Sequence, residues 1–242
     1  ADGEAPSMWL DFVGSVAEAR AEAQRICQLL AKQPAPLMAT CYPRLPAPSA
    51  DAALLVMGSL HPHVSRQPGG PRLVRVCLDG AAGVAIIELN DPKRFNTFSN
   101  ELGEGMLVAA RLVERHSGVR AVVLQGAGAH FSAGGNPFGS QEQLPLAAAA
   151  QSLRDVFRGF LELRTTPAPV LCAVHGKLIG GGVAACLNSD YVIANSAATF
   201  EHGNLVRGVC PLGGLSRTLI NAVGRGRALG VYLSNSALDP AE

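Results

Sequence analysis

The chain has 242 residues, of which 48% are hydrophobic and 16% are charged, and its formal net charge at pH 7 is +1. This composition excludes a disordered chain, because the apolar surface is large enough to offset the entropy of ordering. The small net charge provides no electrostatic basis for nucleic-acid binding, and no uninterrupted apolar run predicts a membrane span. The length suits either one large domain or a domain with an appendage.

The N-terminal third differs in composition from the remainder. Apolar residues recur at three- and four-residue steps over residues 11–33, which predicts an amphipathic helix that Pro34 ends. A proline-rich stretch follows and has few periodic apolar residues, which is typical of an extended linker. We therefore predict a helical segment over residues 1–45, a linker over residues 46–72 and a body over residues 73–242.

The body alternates short apolar strands with helices. This alternation favours an α/β domain with layers of helices around a largely parallel sheet. Strands are predicted at residues 73–78, 84–89, 121–125, 170–174 and 191–194, and helices at 100–114 (with Ser99 as its cap), 144–163, 183–187 and 215–223.

The cysteines are scattered and form no Cys-x-x-Cys pair. They lie at positions 27, 41, 77, 172, 186 and 210. We interpret them as buried small side chains in a reducing compartment, the cytoplasm or an organelle, in preference to a disulfide framework. No metal site is predicted.

Two glycine-rich turns follow apolar strands and contain the candidate chemistry. The first covers residues 129–137; the second covers residues 175–183 and opens a helix. Small residues allow backbone N–H groups to approach a ligand, and N–H groups at a helix start are unpaired. One N–H from each turn could hold a single oxygen as an oxyanion hole. A purely structural turn is the alternative, and neither turn fits a GxGxxG or GxxxxGK[ST] phosphate-binding pattern.

Five ordered segments of the body resemble the crotonase (enoyl-CoA hydratase/isomerase) superfamily. The resemblance implies a crotonase-like ββα spiral with layered, largely parallel sheets, here preceded by a separate N-terminal helix. It implies an acyl thioester of coenzyme A or of a carrier protein's phosphopantetheine, no tightly bound cofactor, and a homo-oligomer of trimers or their multiples. Nucleic-acid and membrane partners are not expected. The segments are residues 87–98, 122–126, 130–135, 175–182 with 189–190, and 208–214 with 222–224.

The same resemblance implies roles for individual residues. Ala133 and Gly181 match the positions whose N–H groups hold the thioester oxygen. Arg94, Phe95 and Asn96 match the turn along which pantetheine and adenine lie. The other candidates for substrate binding lie within or beside the two glycine-rich turns: Gly134, Gly135, Asn136 and Gly180.

The two glutamates that hydratases of this family use to add or remove water are absent. Ala184 stands at the first position and Asn204 at the second, so neither can act as an acid or a base. Simple hydration is therefore disfavoured. His202, Asn204 and Asn136 become the candidates for proton donation or for contact with a substrate carboxylate. A structural role for His202 is an equally open alternative.

This set of features resembles the decarboxylating crotonases of polyketide β-branching, which act on glutaconyl-type chains held by an acyl carrier protein. Two carboxylates about 4 Å apart at an effective dielectric of 20 repel by roughly 4 kcal/mol, so a site without them admits a substrate that brings its own. We predict a carbon–carbon lyase that forms an enolate held in the oxyanion hole. An enoyl-thioester isomerase or hydratase using Glu201 or Glu142, and a non-catalytic acyl-binding or assembly module, are the alternatives.

Residues 1–45 also resemble the end of a crotonase domain, with a helix followed by a Pro-Leu turn. This resemblance implies either a section of a tandem array or a permuted unit. The leading helix would then pack on its own body or on a neighbouring one. An unrelated N-terminal helix is the alternative.

Overall fold

The computed structural model describes residues 10–13, 17, 21, 24–25, 60–62, 73–79, 83–135 and 156–241. The strands are β1 (Leu10–Val13), β2 (Leu60–Pro62), β3 (Val74–Asp79), β4 (Val84–Leu89), β5 (Ala121–Gly126), β6 (Val170–Val174), β7 (Lys177–Ile179), β8 (Tyr191–Asn195), β9 (Thr199–Glu201) and β10 (Ala237–Leu238). The helices are α1 (Asn100–Arg115), α2 (described over 156–163), α3 (Gly181–Cys186), α4 (Leu215–Val223) and α5 (Arg225–Ser234), with 3-10 turns at Pro92–Arg94 and Leu205–Arg207.

A seven-stranded sheet in the order β1-β8-β6-β5-β4-β3-β2 forms the centre of the fold. The pairs from β4 to β1 are parallel, whereas β3 pairs antiparallel with β2 and with β4. A smaller sheet contains β7 and β10 on either side of β9, and its β7–β9 pair is parallel. The prediction of an α/β fold with layered, largely parallel sheets is confirmed.

The central strands are apolar along their whole length because both faces of the large sheet are covered. Every residue of β5 and of β6 is buried. Strands covered on both faces lack the alternation of a half-exposed strand, which explains the continuous apolar runs in the sequence. The largest fully buried side chains of the core include those of Ile87, Leu124, Phe131 and Phe160.

Helix α1 is positioned by its cap and by one close contact. The Ser99 side chain accepts a hydrogen bond from the Leu102 N–H at 3.2 Å, so the predicted cap is confirmed. A Cβ placed on Gly103 would lie 2.6 Å from the Val156 Cα, so α1 and α2 pack backbone against backbone. The turn that leads from β4 into α1 is thereby held beside the ends of the parallel strands.

The N-terminal region contains two strands that the sequence analysis did not predict. β1 pairs with β8, with Leu10 opposite Val192, and β2 pairs with β3 at the other edge of the same sheet. The helix predicted from residue 11 is therefore wrong over residues 11–13, although residues 17, 21, 24 and 25 are helical. β1 extends a parallel sheet, where hydrogen bonds to β8 outweigh local helix preference. The domain boundaries stay a prediction.

Further predictions can be compared with the described residues. The helix predicted at 183–187 begins earlier, at Gly181, and the first part of the helix predicted at 144–163 lies outside the described residues. Cys172 and Cys186 are buried as expected, whereas Cys77 is half-buried and Cys210 is exposed, so that prediction is wrong for Cys210; Cys27 and Cys41 lie outside the described residues.

Membrane-spanning helices and metal-holding clusters are both absent from the described residues. None of the helices in this part of the chain is long and apolar enough to cross a membrane. No group of three or more His, Cys, Asp or Glu side chains there is arranged to hold a metal ion.

Candidate active site

The two glycine-rich turns run side by side, and glycine is what permits their close approach. Ser132 forms a parallel bridge with Leu178, and the Ile179 N–H donates to the Ser132 carbonyl at 3.2 Å. Gly134 has a φ of +84°, and a Cβ placed on it would collide with the Ile179 carbonyl oxygen. A Cβ on Gly182 would collide with the Ser132 carbonyl oxygen in the same way. Larger residues at these positions would force the turns apart.

The N–H group of Gly135 is directed away from the chain segment that precedes α1. Gly135 forms a parallel bridge with Phe98, whose N–H donates to the Gly134 carbonyl at 2.7 Å. The carbonyl and the N–H of one trans peptide point in opposite directions, so the Gly135 N–H faces away from Phe98. It has no hydrogen-bond partner among the described residues, and a Cβ on Gly135 would meet nothing within 4 Å.

The N–H group of Gly181 is fixed by the same peptide geometry. The Gly180 carbonyl accepts from the Ala184 N–H at 2.9 Å inside the first turn of α3. The Gly181 N–H therefore points out of the helix start, and no described residue accepts a hydrogen bond from it. A Cβ on Gly134 would lie 3.2 Å from the Gly181 nitrogen, which places the two turns' amides next to each other.

Ala133, by contrast, has no N–H available for a ligand. Its N–H donates to the Phe95 carbonyl at 3.0 Å, and the Gly134 N–H donates to the Ser132 hydroxyl at 3.2 Å. The predicted role of Ala133 therefore conflicts with the geometry, and Gly135 has the properties that the role requires. Sequence reasoning identified the turn but could not tell which of its amides is left unpaired. No signal in the sequence distinguishes the two amides, because the pairing depends on the Phe95 carbonyl, which lies elsewhere in the chain.

Asn96 supports the first turn and does not line the site. The residue is fully buried, and its Nδ2 donates to the carbonyls of Ala127, His130 and Phe131 at 2.8, 2.9 and 3.1 Å. Its Oδ1 accepts from the Asp91 N–H at 2.8 Å. Because both ends of the amide are engaged, the predicted substrate-binding role does not fit this side chain.

Arg94 and Phe95 are exposed beside the first turn, where a ligand can reach them. The Phe95 ring is 52% exposed and lies 5.3 Å from the His130 ring, centroid to centroid. The Arg94 guanidinium is solvent-facing, with its Nη1 3.8 Å from an Asp91 carboxylate oxygen. Asn136, the remaining candidate near this turn, lies outside the described residues.

The second glutamate position is occupied by an amide whose orientation is fixed. Asn204 is buried, and its Nδ2 donates to the Cys210 carbonyl at 3.0 Å. Its Oδ1 is buried without a partner among the described residues and lies 3.3 Å from a Cβ placed on Gly180. Ala184, at the first position, is fully buried in α3. The structure thus brings Asn204 next to the second turn with no carboxylate at either position.

His202 is buried and uncharged at neutral pH. It is 4% exposed, and its ring packs edge-on against Tyr232 at a centroid distance of 4.8 Å. Burial lowers the pKa of His202 below its ordinary value, against smaller raising effects of its own backbone and of the Asn204 side chain. Its Nδ1 atom has no hydrogen-bond partner in the described part of the chain.

The Glu201 carboxylate contacts two side chains outside the glycine-rich turns. Its Oε1 accepts from Asn235 Nδ2 at 3.1 Å and lies 3.5 Å from Arg207 Nη1. Glu142, the other carboxylate considered from the sequence, lies outside the described residues.

Comparison with known proteins assigns the chain to a family. The sequence model of enoyl-CoA hydratase/isomerase matches residues 79–242. The 1,2-epoxyphenylacetyl-CoA isomerase of Escherichia coli is 32% identical over 64% of this chain and 61% of its own length. The chain spans about three fifths of the length of that relative.

Solved structures agree with this result. An enoyl-CoA hydratase from Polaromonas sp. JS666 superposes with a TM-score of 0.63, with 28% identity over 69% of this chain and 65% of that chain. A monofunctional enoyl CoA isomerase from M. smegmatis superposes with a TM-score of 0.56, with 30% identity over 71% of this chain and 72% of its own. The crotonase-like fold implied by the resemblance is confirmed, and the chain belongs to the enoyl-CoA hydratase/isomerase family.

Proposed function

We propose that this chain binds acyl thioesters of coenzyme A and stabilises the enolate of the thioester carbonyl with the N–H groups of Gly135 and Gly181. The observation that carries the proposal is that the two amides neighbour each other and have no partner among the described residues, with directions set by the hydrogen bonds of the Gly134 and Gly180 carbonyls. Preorganised donors stabilise the charge that develops on the oxygen. Each such donor contributes about 10²- to 10³-fold to the rate.

The thioester carrier is proposed to lie along the exposed turn at Arg94 and Phe95. This turn abuts the first glycine-rich turn, because the Phe95 carbonyl accepts from Ala133. Arg94 and Lys93 are exposed cations that suit the phosphates of the carrier. The named relatives act on coenzyme A thioesters, which favours coenzyme A over a carrier protein's phosphopantetheine. Assembly into trimers or their multiples stays a prediction.

The reaction class that we propose is isomerisation of an enoyl thioester. A proton leaves the α-carbon, the electron pair moves into the held carbonyl, and a proton returns at the γ-carbon. Ala184 and Asn204 cannot activate water, which argues against hydration. His202 stays the predicted proton carrier, because its neutral imidazole can accept and return a proton. The names of the E. coli and M. smegmatis relatives favour isomerisation.

Decarboxylation of a glutaconyl-type thioester is the second candidate. In this reaction the bond to the carboxyl carbon breaks, CO₂ leaves, and its electron pair forms the same held enolate, which then takes up a proton. One observation favours it. Ala184 and Asn204, which stand in place of the two glutamates, carry no charge, so a substrate carboxylate meets no repulsion from them.

One experiment tests the hole and separates the reactions. The full chain is incubated with 3-hexenoyl-CoA, crotonyl-CoA and glutaconyl-CoA, and products are followed by mass spectrometry and by absorbance of the conjugated thioester. We expect conversion of 3-hexenoyl-CoA to the conjugated isomer. Loss of CO₂ from glutaconyl-CoA alone would support the second candidate, and addition of water to crotonyl-CoA would contradict the argument from Ala184 and Asn204. Turnover of none of the three would contradict both reactions.

A matched pair of variants at Gly135 tests the amide itself. Gly135→Pro removes the N–H, whereas Gly135→Ala keeps it and adds a methyl group that meets no described residue within 4 Å. We expect the proline variant to lose about 10²- to 10³-fold in kcat/KM and the alanine variant to stay close to the parent. Equal activities of the two variants would refute a role for this amide.

A further inference from the structure

One fully buried hydroxyl group lies at the junction of the three chain segments that build the candidate site. It belongs to Ser132, which bridges in parallel with Leu178 of the second glycine-rich turn. Its Oγ donates to the Asn96 carbonyl at 2.7 Å and accepts from the Gly134 N–H at 3.2 Å. A buried hydroxyl is unfavourable unless it is hydrogen-bonded, and this one is satisfied both as a donor and as an acceptor.

The Asn96 carbonyl is a fixed anchor for this hydroxyl. The Asn96 side chain is bonded at both ends to backbone groups of the neighbouring segments, so its own backbone is held in place. Because the carbonyl of Asn96 takes up the hydroxyl hydrogen of Ser132, a lone pair of Oγ is left to accept from Gly134. The hydroxyl thus connects a rigid part of the chain with the first glycine-rich turn.

Gly134 is the residue at which the oxyanion amide could lose its alignment. It has a positive φ and no side chain, so its conformation depends on the partners of its two backbone groups. Its N–H is held by Ser132, and its carbonyl is held by the Phe98 N–H. The Gly134 carbonyl and the Gly135 N–H belong to one planar peptide, so these two bonds together set the direction of the Gly135 N–H. Without the bond from Ser132, the peptide keeps one anchor and is free to tilt about it.

We propose that Ser132 is a positioning residue for the oxyanion hole, whose hydroxyl fixes the Gly134–Gly135 peptide so that the Gly135 N–H points at the thioester oxygen. The inference rests on the proposed function, because it assigns the Gly135 N–H to that oxygen. Ser132 acts without touching the substrate, since it is fully buried and its hydroxyl is bonded within the chain. Hydrogen bonds weaken steeply with misalignment, so a tilted peptide stabilises the enolate less while the carrier still binds.

Infrared difference spectroscopy of the full chain with butyryl-CoA, isotope-labelled at the thioester carbonyl, tests this role without turnover. Two N–H donors on the carbonyl oxygen lower its stretching frequency relative to the free ligand, because they polarise the carbonyl bond. We expect this lowering in the parent and a loss of at least half of it in Ser132→Ala. The Kd of butyryl-CoA should stay within about threefold of the parent. An undiminished lowering in Ser132→Ala would overturn the proposal.

Isomerisation of 3-hexenoyl-CoA provides a second readout of the same role. Ser132→Ala should lower kcat by about tenfold, less than the loss of the amide itself, and should leave KM within about threefold of the parent. In the Gly135→Pro background, Ser132→Ala should have no further effect on kcat, because the N–H that it positions is already absent. Losses that multiply in the double variant would indicate general structural damage and would overturn the positioning role.

Ser189→Ala is the matched control. Ser189 is likewise buried, and its Oγ donates to the Cys186 carbonyl at the far end of α3. This variant loses a buried hydroxyl of the same kind and should keep the parent's infrared lowering, and its kcat to within about twofold. An equal loss in Ser189→Ala would assign the effect to general loosening and overturn the proposal. Ser132→Cys, which retains a weak donor and acceptor, is used if Ser132→Ala does not fold; a partial lowering is expected, and a full one would overturn the proposal.

The failure of this inference is distinguishable from failure of the proposed function. A lowered carbonyl frequency in the parent that Ser132→Ala leaves unchanged would overturn the positioning role and leave the oxyanion hole standing. Binding of butyryl-CoA by the parent without any lowering, or absence of binding, would reject the hole and the positioning role together.

Discussion

Asn96→Asp tests whether one buried amide holds the first glycine-rich turn in place. The Asn96 side chain donates to three backbone carbonyls at 2.8, 2.9 and 3.1 Å and accepts from the Asp91 N–H. The aspartate of this variant would keep the acceptor and, like asparagine, tolerates the positive φ of 52° at this position. The substitution therefore removes the two N–H hydrogens and places a negatively charged carboxylate oxygen opposite carbonyl oxygens.

The expected cost follows from this geometry. Leaving a buried acceptor unpaired costs about 1–3 kcal/mol, and the Nδ2 group has two hydrogens to lose. We therefore expect the free energy of unfolding to fall by about 3–4 kcal/mol, a large share of the roughly 5–15 kcal/mol of an ordinary domain.

Urea denaturation followed by circular dichroism at pH 7 measures this loss. Asn221→Asp is the matched control, because the same chemical change falls on an exposed position of α4 and should alter the unfolding free energy by less than about 0.5 kcal/mol. If Asn96→Asp and Asn221→Asp lose similar amounts, the amide does not hold the turn and the reasoning is refuted.

Three further predictions concern the pH response, a helix cap and the edge strand. Because the folded-state pKa of His202 is lowered, the unfolded chain binds more protons as the pH falls below about 6.5, so stability should decrease there and rise with pH. His202→Phe should lessen the difference in unfolding free energy between pH 5.5 and pH 7.5; an undiminished difference would contradict the assignment. Ser99→Ala should lower the unfolding free energy by about 1 kcal/mol through loss of the bond from the Leu102 N–H, and a change within experimental error would count against that cap. Asp11→Pro and Phe12→Pro should lower Tm by unequal amounts, since adjacent N–H groups of β1 face opposite sides and only one of the two faces β8. An unchanged Tm in both variants would argue against the β1–β8 pairing.

The sequence alone predicted those elements that depend mainly on residues close together in the chain. The buried strands β5 and β6 are recognisable as unbroken apolar runs, and Ser99 lies where an N-cap hydroxyl is required. The glycines at 134 and 182 likewise mark the close approach of two turns, because a side chain at either position would strike a backbone carbonyl. The α/β class and the location of the candidate site followed from these signals.

The partners of individual polar groups were decided only by the tertiary structure, because each partner lies far away in the sequence. Ala133 loses its N–H to Phe95, which leaves Gly135 as the unpaired amide, and Glu201 is engaged by Asn235, 34 residues away. The strand β1 likewise depends on β8, which lies in the last third of the chain. Periodicity and composition report what a segment prefers on its own, whereas a hydrogen bond between distant residues exists only once the whole chain has packed.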